Sequence, residues 1–323
     1  MSQPSTPPEN GPSGFIDGVR LAIGTLSVFP VRPGVVDRRA GGIAMAVAPL
    51  VGAVIGACGG MVLVISLWLG MTPLPASVLA VATVALLTRG LHLDGLADLA
   101  DGLGSAKPAE RALEIMKRSD IGPFGVVTLV LVLLIQVAAL QEAIAYAGAG
   151  TGAIILVAAC TAGRLALTWA CREGIPPARP DGLGAMVAGT VRRSVAVVMT
   201  ALMLVGTTAL VYLHGALGPW PSGSLSELLG GVERSFVVYS DSVISSYLPE
   251  LETGITDVVP TTALGPFLDP RGLPLAMLVG LLAAWAVRRR AVRRLGGVTG
   301  DVLGALVEIA TATTLLACTI LTN

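Results

Sequence analysis

Between Arg39 and Arg89 the chain runs for 49 residues without one charged side chain. A bilayer core about 30 Å thick takes roughly 20 apolar residues per helix, so such a stretch holds two spans. Gly70, Pro73 and Pro75 mark the hairpin between them. Composition points the same way: 54% of the 323 residues are hydrophobic and 13% charged, against about a quarter charged in soluble domains. The apolar runs are continuous and lack the alternation of barrel strands. The expected fold class is all-α: a polytopic integral membrane helical bundle of about seven transmembrane helices with short cytoplasmic amphipathic helices. The spans are read at about 43–69, 74–91, 124–146, 151–171, 194–213, 273–287 and 303–321. The sixth is short, and its edges are expected to run further.

Residues 1–13 are rich in Pro and Ser and hold no Lys or Arg. They lack the basic region of a signal peptide and read as a disordered tail. Residues 15–28 place Phe15, Ile16, Val19, Ile23 and Leu26 beside Asp17 and Arg20, a pattern for a helix lying in the interface. Residues 14–323 are expected to form a single membrane-embedded domain, interrupted at about 214–272 by a segment with seven acidic residues and two arginines. With a cytoplasmic tail, every Lys and Arg except Arg234 and Arg271 falls on the inner side, which fixes the expected orientation. The acidic segment is then a non-cytoplasmic, solvated insertion. Lys plus Arg equals Asp plus Glu, 21 each, so nucleic-acid binding has no electrostatic footprint. The partners are the lipid bilayer and small molecules, and an oligomer is compatible with this reading. Cys58, Cys160, Cys171 and Cys318 all lie in or beside apolar spans without C-x-x-C spacing, as buried small hydrophobes do.

The informative chemistry starts where the second span ends, in HLDGLADLADGLG at 92–104. Asp94, Asp98 and Asp101 stand at i, i+4 and i+7, which puts three carboxylates on one narrow helical face. Like charges at that spacing repel unless something neutralises them. A divalent cation does so, and Mg²⁺ favours one or two carboxylates completed by phosphate oxygens and water. These three are the candidate metal ligands. The plainer alternative is a solvated acidic face. Gly95, Gly102 and Gly104 would let bulky ligand groups approach the backbone.

A second constellation, GGVTGDVLGALVEIA at 296–310, opens the last span. Gly296, Gly297 and Gly300 precede or enter the helix start, where backbone N–H groups can hold phosphate. Asp301 and Glu308 lie seven apart and share a face, with Glu308 roughly 10 Å deeper. Arg164 sits at comparable depth in the fourth span. Charges inside a span are functional candidates; Arg164 either pairs with Glu308 or contacts a diphosphate. A third segment, AERALEIMKRSDIGPFG at 109–125, reads as a short amphipathic helix on which Lys117 and Arg118 can balance phosphate charge.

In order and spacing these segments resemble the adenosylcobinamide-GDP ribazoletransferase, or cobalamin synthase, family. The resemblance rests on GLHLDGLADLADG (90–102), ERALEIMKRSDIGPFG (110–125) and GGVTGDVLGALVE (296–308), with APLVGAVIGA (48–57) in support. The family's second motif usually reads Lys-Asp-Ser-Arg, whereas here Lys117, Arg118, Ser119 and Asp120 exchange acid and base. The resemblance implies a Mg²⁺-dependent transferase in a bacterial inner membrane, with its site on the cytoplasmic side. It would join adenosylcobinamide-GDP to α-ribazole or its 5′-phosphate, giving adenosylcobalamin or its phosphate and GMP. Asp98, Asp101 and Asp301 are then the catalytic candidates. Lys117, Arg118, Arg164, Thr299, Gly300 and Glu308 are the substrate-binding candidates. One carboxylate takes the attacking hydroxyl's proton, and sequence leaves open which. A CDP-alcohol phosphotransferase shares part of the DGLAD pattern but wants Arg where Asp98 stands. A secondary transporter would gather its charges at the midplane rather than at one edge.

Overall fold

In the computed structural model the described residues are 13–32, 34–118, 120–217 and 272–321. They form ten α-helices: α1 Phe15–Leu26, α2 Arg38–Trp68, α3 Pro73–Leu87, α4 Leu91–Gly104, α5 Ala109–Ile115, α6 Pro123–Ala170, α7 Gly182–Val187, α8 Arg193–Leu217, α9 Gly272–Leu295 and α10 Gly300–Ile320. Among the described residues there is no strand, only two isolated bridges. The expected disordered tail and most of the acidic 214–272 insertion lie outside the described residues.

Five helices are long and apolar enough to cross a membrane, namely α2, α6, α8, α9 and α10, or six when the bent pair α3–α4 counts as one. The protein is an all-α polytopic membrane bundle. α6 is two helical arms that fold back on each other at Gly148, whose φ of 82° and ψ of 174° are ordinary only for glycine. A Cβ on Gly152 would lie 2.8 Å from Cγ1 of Ile144, although residues eight apart on a straight helix are about 12 Å apart. This turn lies in the gap expected between the third and fourth spans.

The second expected span, 74–91, needs correction. α3 stops at Leu87 after 15 residues, roughly 22 Å of helix. The chain then bends by 87° into α4. Arg89 and Gly90 both take positive φ, 56° and 66°, to make that corner. α4 therefore does not continue the span but turns across the end of the bundle. The sixth span does run further than 287, and α9 continues through the arginines to Leu295.

The central helix is α10, most of whose residues are buried, whereas α8 is peripheral and largely exposed. Between helices in lipid, close packing rather than hydrophobicity drives association. Gly52, Gly56 and Gly60 supply it as a stripe on α2. A Cβ on Gly52 would meet the Cys160 carbonyl at 2.5 Å, and one on Gly56 the Val157 Cα at 2.7 Å. Outward-facing Val197, Leu202, Val205 and Leu213 on α8 and Val127, Val130 and Leu134 on α6 are exposed, as a wall facing acyl chains is.

Candidate active site

Where α4 turns across the bundle it lies directly on the start of α10. A Cβ on Gly95 would sit 2.8 Å from the Asp301 carbonyl oxygen, and one on Gly304 would sit 3.2 Å from the His92 Cα. The two motifs, some two hundred residues apart, thus share one backbone contact. Gly95 is needed there for the partner helix, not for a ligand. Gly102 and Gly104 likewise face the Met116 side chain and the Phe124 ring, which corrects the expectation that these glycines open space for substrate.

A cleft of about 310 Å³ opens at this junction, with Asp94, Asp301, Arg179, Asp181 and the Thr299–Gly300 turn among its walls. Thr299 caps α10, its hydroxyl accepting from the Val302 N–H at 3.2 Å and donating to Asp301 Oδ2 at 3.2 Å. Asp301 is therefore oriented by its own helix start. Arg179 approaches Asp301 Oδ2 at 3.9 Å and donates to the Leu113 carbonyl at 2.8 Å. Lys117 pairs with Asp181 at 3.6 Å, so it stands at the rim. Arg118 is exposed in the turn after α5, which ends at Ile115. The expected amphipathic helix is thus only seven residues long and carries neither base.

Arg179 and Asp181 were not singled out from sequence. They sit in PPARPDGLG (176–184), where three prolines frame the loop. Ala178 N–H donates to the Val298 carbonyl and Val298 N–H to the Pro176 carbonyl, both at 3.0 Å. That parallel bridge holds Arg179 over the start of α10. A proline-stiffened Arg-Pro-Asp between two apolar runs was the available signal.

The three α4 carboxylates do not converge. Among the described residues no three His, Cys, Asp or Glu side chains could hold one metal ion together. Asp101 is turned away: its Oδ2 accepts from the Gly122 N–H at 2.7 Å and its Oδ1 from the Gly125 N–H at 3.0 Å. It caps the start of α6, where a negative charge is favoured. The expected metal and catalytic assignments of Asp101 are corrected accordingly. Asp101→Ala is expected to leave both N–H groups unsatisfied at about 1–3 kcal/mol each. The purified protein should show this as a lowered Tm, with a cation still required by the remaining folded enzyme. A shifted Mg²⁺ half-saturation at unchanged Tm would contradict the capping role.

Asp98 lies half-buried one turn beyond Asp94 on α4, outside the five spanning helices. Burial, then the charges of Asp94, Asp301 and Asp101, push its carboxyl up to about 7, with Arg179 opposing. Acidic groups from α4 and α10 therefore repel one another at this cleft, and a bound cation would relieve that repulsion.

The deeper pair also differs from expectation. Arg164 and Glu308 are both buried, yet no ion pair within 4.0 Å joins them. Glu308 Oε2 accepts from Gln136 Nε2 at 2.8 Å. Arg164 Nη2 lies 3.4 Å from His92 Nδ1. Guanidinium only donates, so Nδ1 accepts and Nε2 carries the imidazole proton. His92 lines the cleft and Arg164 does not. A direct Arg164–diphosphate contact is therefore replaced by an arginine standing behind the cleft histidine.

The profile of the cobalamin-5-phosphate synthase family matches residues 18–319. The chain belongs to that family. It is 40% identical over 307 residues to an adenosylcobinamide-GDP ribazoletransferase of Frankia casuarinae, covering 92% of each chain. It is 37% identical to the protein of that name in Bradyrhizobium diazoefficiens, over 80% of this chain and 75% of the relative. It is 33% identical to that of a Nocardioides species, over 93% and 97%. No solved structure matches the chain. In this member of the cobalamin-5-phosphate synthase family, the matched region contains all of the cleft-lining residues.

Proposed function

We propose that this cleft performs the reaction for which the relatives are named: transfer of the adenosylcobinamide phosphate from its GDP-activated form to α-ribazole or its 5′-phosphate, releasing GMP. The observation that carries the reading is the meeting of α4 and α10, which brings Asp94 and Asp301 to one cleft beside Arg179 and Lys117. A ribazole hydroxyl attacks the phosphorus bonded to cobinamide. An O–P bond forms, the P–O bond to GMP breaks, and the hydroxyl proton passes to a base. Asp98, half-buried one turn beyond Asp94 on α4 and not itself among the cleft-lining residues, is the proposed base.

The donor set fits Mg²⁺. Two carboxylates at the cleft leave positions for phosphate oxygens and water, the pattern this ion takes in phosphoryl-transfer sites. Asp94 and Asp301 would hold it, and when bound it would stabilise charge on the leaving diphosphate. Arg179 and Lys117 steer and clamp the nucleotide phosphates. Thr299 and the Gly300 turn keep Asp301 aimed into the cleft and present the free N–H groups of α10. His92, backed by Arg164, presents a neutral donor rather than a second cation. The proposed setting is the cytoplasmic face of a bacterial inner membrane, a reading supported by the distribution of the basic residues. The test is Mg²⁺-dependent GMP release by the reconstituted protein from the GDP-activated corrinoid. GMP formation without cobalamin formation, or turnover without a divalent cation, would overturn the assignment.

The Asp98 carboxyl sets a pH dependence. Below about pH 7 it is protonated, and its negative charge is lost to a cation nearby. Mg²⁺ half-saturation should therefore weaken as pH falls from 8 to 6, by at most about tenfold per unit for one displaced proton. Asp98→Asn should flatten that profile. In the cation-free protein the sign reverses. The unfolded carboxyl ionises near 4 and the folded one near 7, so stability falls as pH rises between them. A Mg²⁺ requirement that ignores pH would remove Asp98 from the cation's surroundings.

A further inference from the structure

A second cavity, of about 340 Å³, lies between the second arm of α6, α8, α9 and α10. It is separate from the acidic cleft. Leu306 lines it, and stands about 200° around α10 from Gly304, which lines the cleft. Its walls are almost wholly apolar, with Leu278, Leu282, Trp169 and Trp285 along its length. Trp169 donates its Nε1–H to the Thr200 hydroxyl at 2.9 Å, which satisfies that indole. Leu278, Leu282 and Trp285 are also exposed on the outer face of α9, so the groove opens toward the acyl chains.

One end is different. Arg172 and Arg288 both line the groove there, and no Asp or Glu does. Arg288 is only 7% exposed, and neither side chain has a hydrogen bond or ion pair to any described residue. Two cations sharing one cavity without an anion are costly to hold. An occupant must bring negative charge to that end and be apolar elsewhere. Its length is also set: from Leu278 to Arg288 is ten residues, roughly 15 Å of helix, which is half the thickness of a bilayer core. Trp285 and Trp169 stand near the basic end, where amphipathic rings mark the headgroup boundary. Arg289 stacks over Trp285 with 5.4 Å from Cζ to the ring centroid, which holds that indole in place.

We infer that this groove binds one anionic phospholipid, with its headgroup phosphate between Arg172 and Arg288 and its acyl chains along α9 from Trp285 to Leu278. The site is independent of the transfer chemistry. It gives the bundle a charge-selective lipid contact at the same end as the acidic cleft, since α9 ends at Leu295 and α10 begins at Gly300.

The experiment is native mass spectrometry of the full chain in neutral detergent, titrated with phosphatidylglycerol or phosphatidylcholine of the same chain length. One phosphatidylglycerol should be retained, preferred over phosphatidylcholine by about fivefold for each arginine engaged. Arg172→Gln and Arg288→Gln should each reduce that preference, and Arg288→Lys should keep most of it. Millimolar inorganic phosphate or glycerol 3-phosphate should not displace the lipid. Equal retention of the two lipids by the wild-type chain overturns the proposal, and so does a preference unchanged in the double Gln variant. Displacement by inorganic phosphate would make this a free-anion site and overturn the lipid assignment. If Arg288→Gln fails to insert, the wild-type ratio and Arg172→Gln, at a less buried position, decide the question.

Discussion

Asp301→Asn is expected to lower GMP formation on the order of 100-fold, about 2.7 kcal/mol of transition-state stabilisation, without preventing insertion. The side chain sits at the first turn of α10, held by the Thr299 hydroxyl and faced by Arg179. Asn keeps the shape and the contact with Thr299 but removes the charge that a cation needs. Asp94→Asn is expected to act in the same direction, because Asp94 lines the same cleft. Both should raise the Mg²⁺ concentration at half-saturation, which separates them from a change in corrinoid affinity alone. Turnover within a few-fold of wild type for both variants, at matched amounts of inserted protein, would remove the cation from these carboxylates.

The second large effect is expected from a residue with no functional group. Gly95→Ala places a methyl 2.8 Å from the carbonyl oxygen and 2.9 Å from the Cα of Asp301. Both are backbone atoms of the central helix and cannot rotate aside, so α4 must shift relative to α10. Overpacking of this kind costs about 1–3 kcal/mol. The larger consequence is geometric. Asp94 and Asp301 are on opposite sides of that contact, and a displacement near 1 Å between groups that act together can cost about 100-fold in rate. Activity should therefore fall much further than Tm. Gly206→Ala on α8, where a Cβ meets nothing within 4 Å, is the control and should leave both unchanged. Full activity in Gly95→Ala would show that the α4–α10 contact does not set the cleft.

The membrane character, the apolar runs and the two acid-bearing motifs were legible in the sequence because each is a local property. Forty-nine uncharged residues can be satisfied only by helices in lipid, and the i, i+4, i+7 spacing of Asp94, Asp98 and Asp101 places them on one face wherever the helix lies. The glycines at 296, 297 and 300 mark a helix start in the sequence, and α10 begins at Gly300, although its Thr299 cap was found only in the structure. The short helix of the α5 segment was legible but not its end, which comes at Ile115, before Lys117 and Arg118.

What the tertiary structure decided is which groups meet. Periodicity places Asp101 beside Asp98 but cannot show that the start of α6 arrives there and takes both carboxylate oxygens. Depth along a span made Arg164 and Glu308 candidates for each other. Each instead meets a third residue, His92 or Gln136, because α4 lies across the bundle end and the first arm of α6 passes Glu308. Arg179 came into the site only through the bridge between Pro177 and Val298, a pairing of residues 121 apart. A sequence determines where its chain must be helical and apolar from one turn to the next. Contacts across a hundred residues depend on how the helices close on one another, and here glycines on α2, α4 and α10 set that closure.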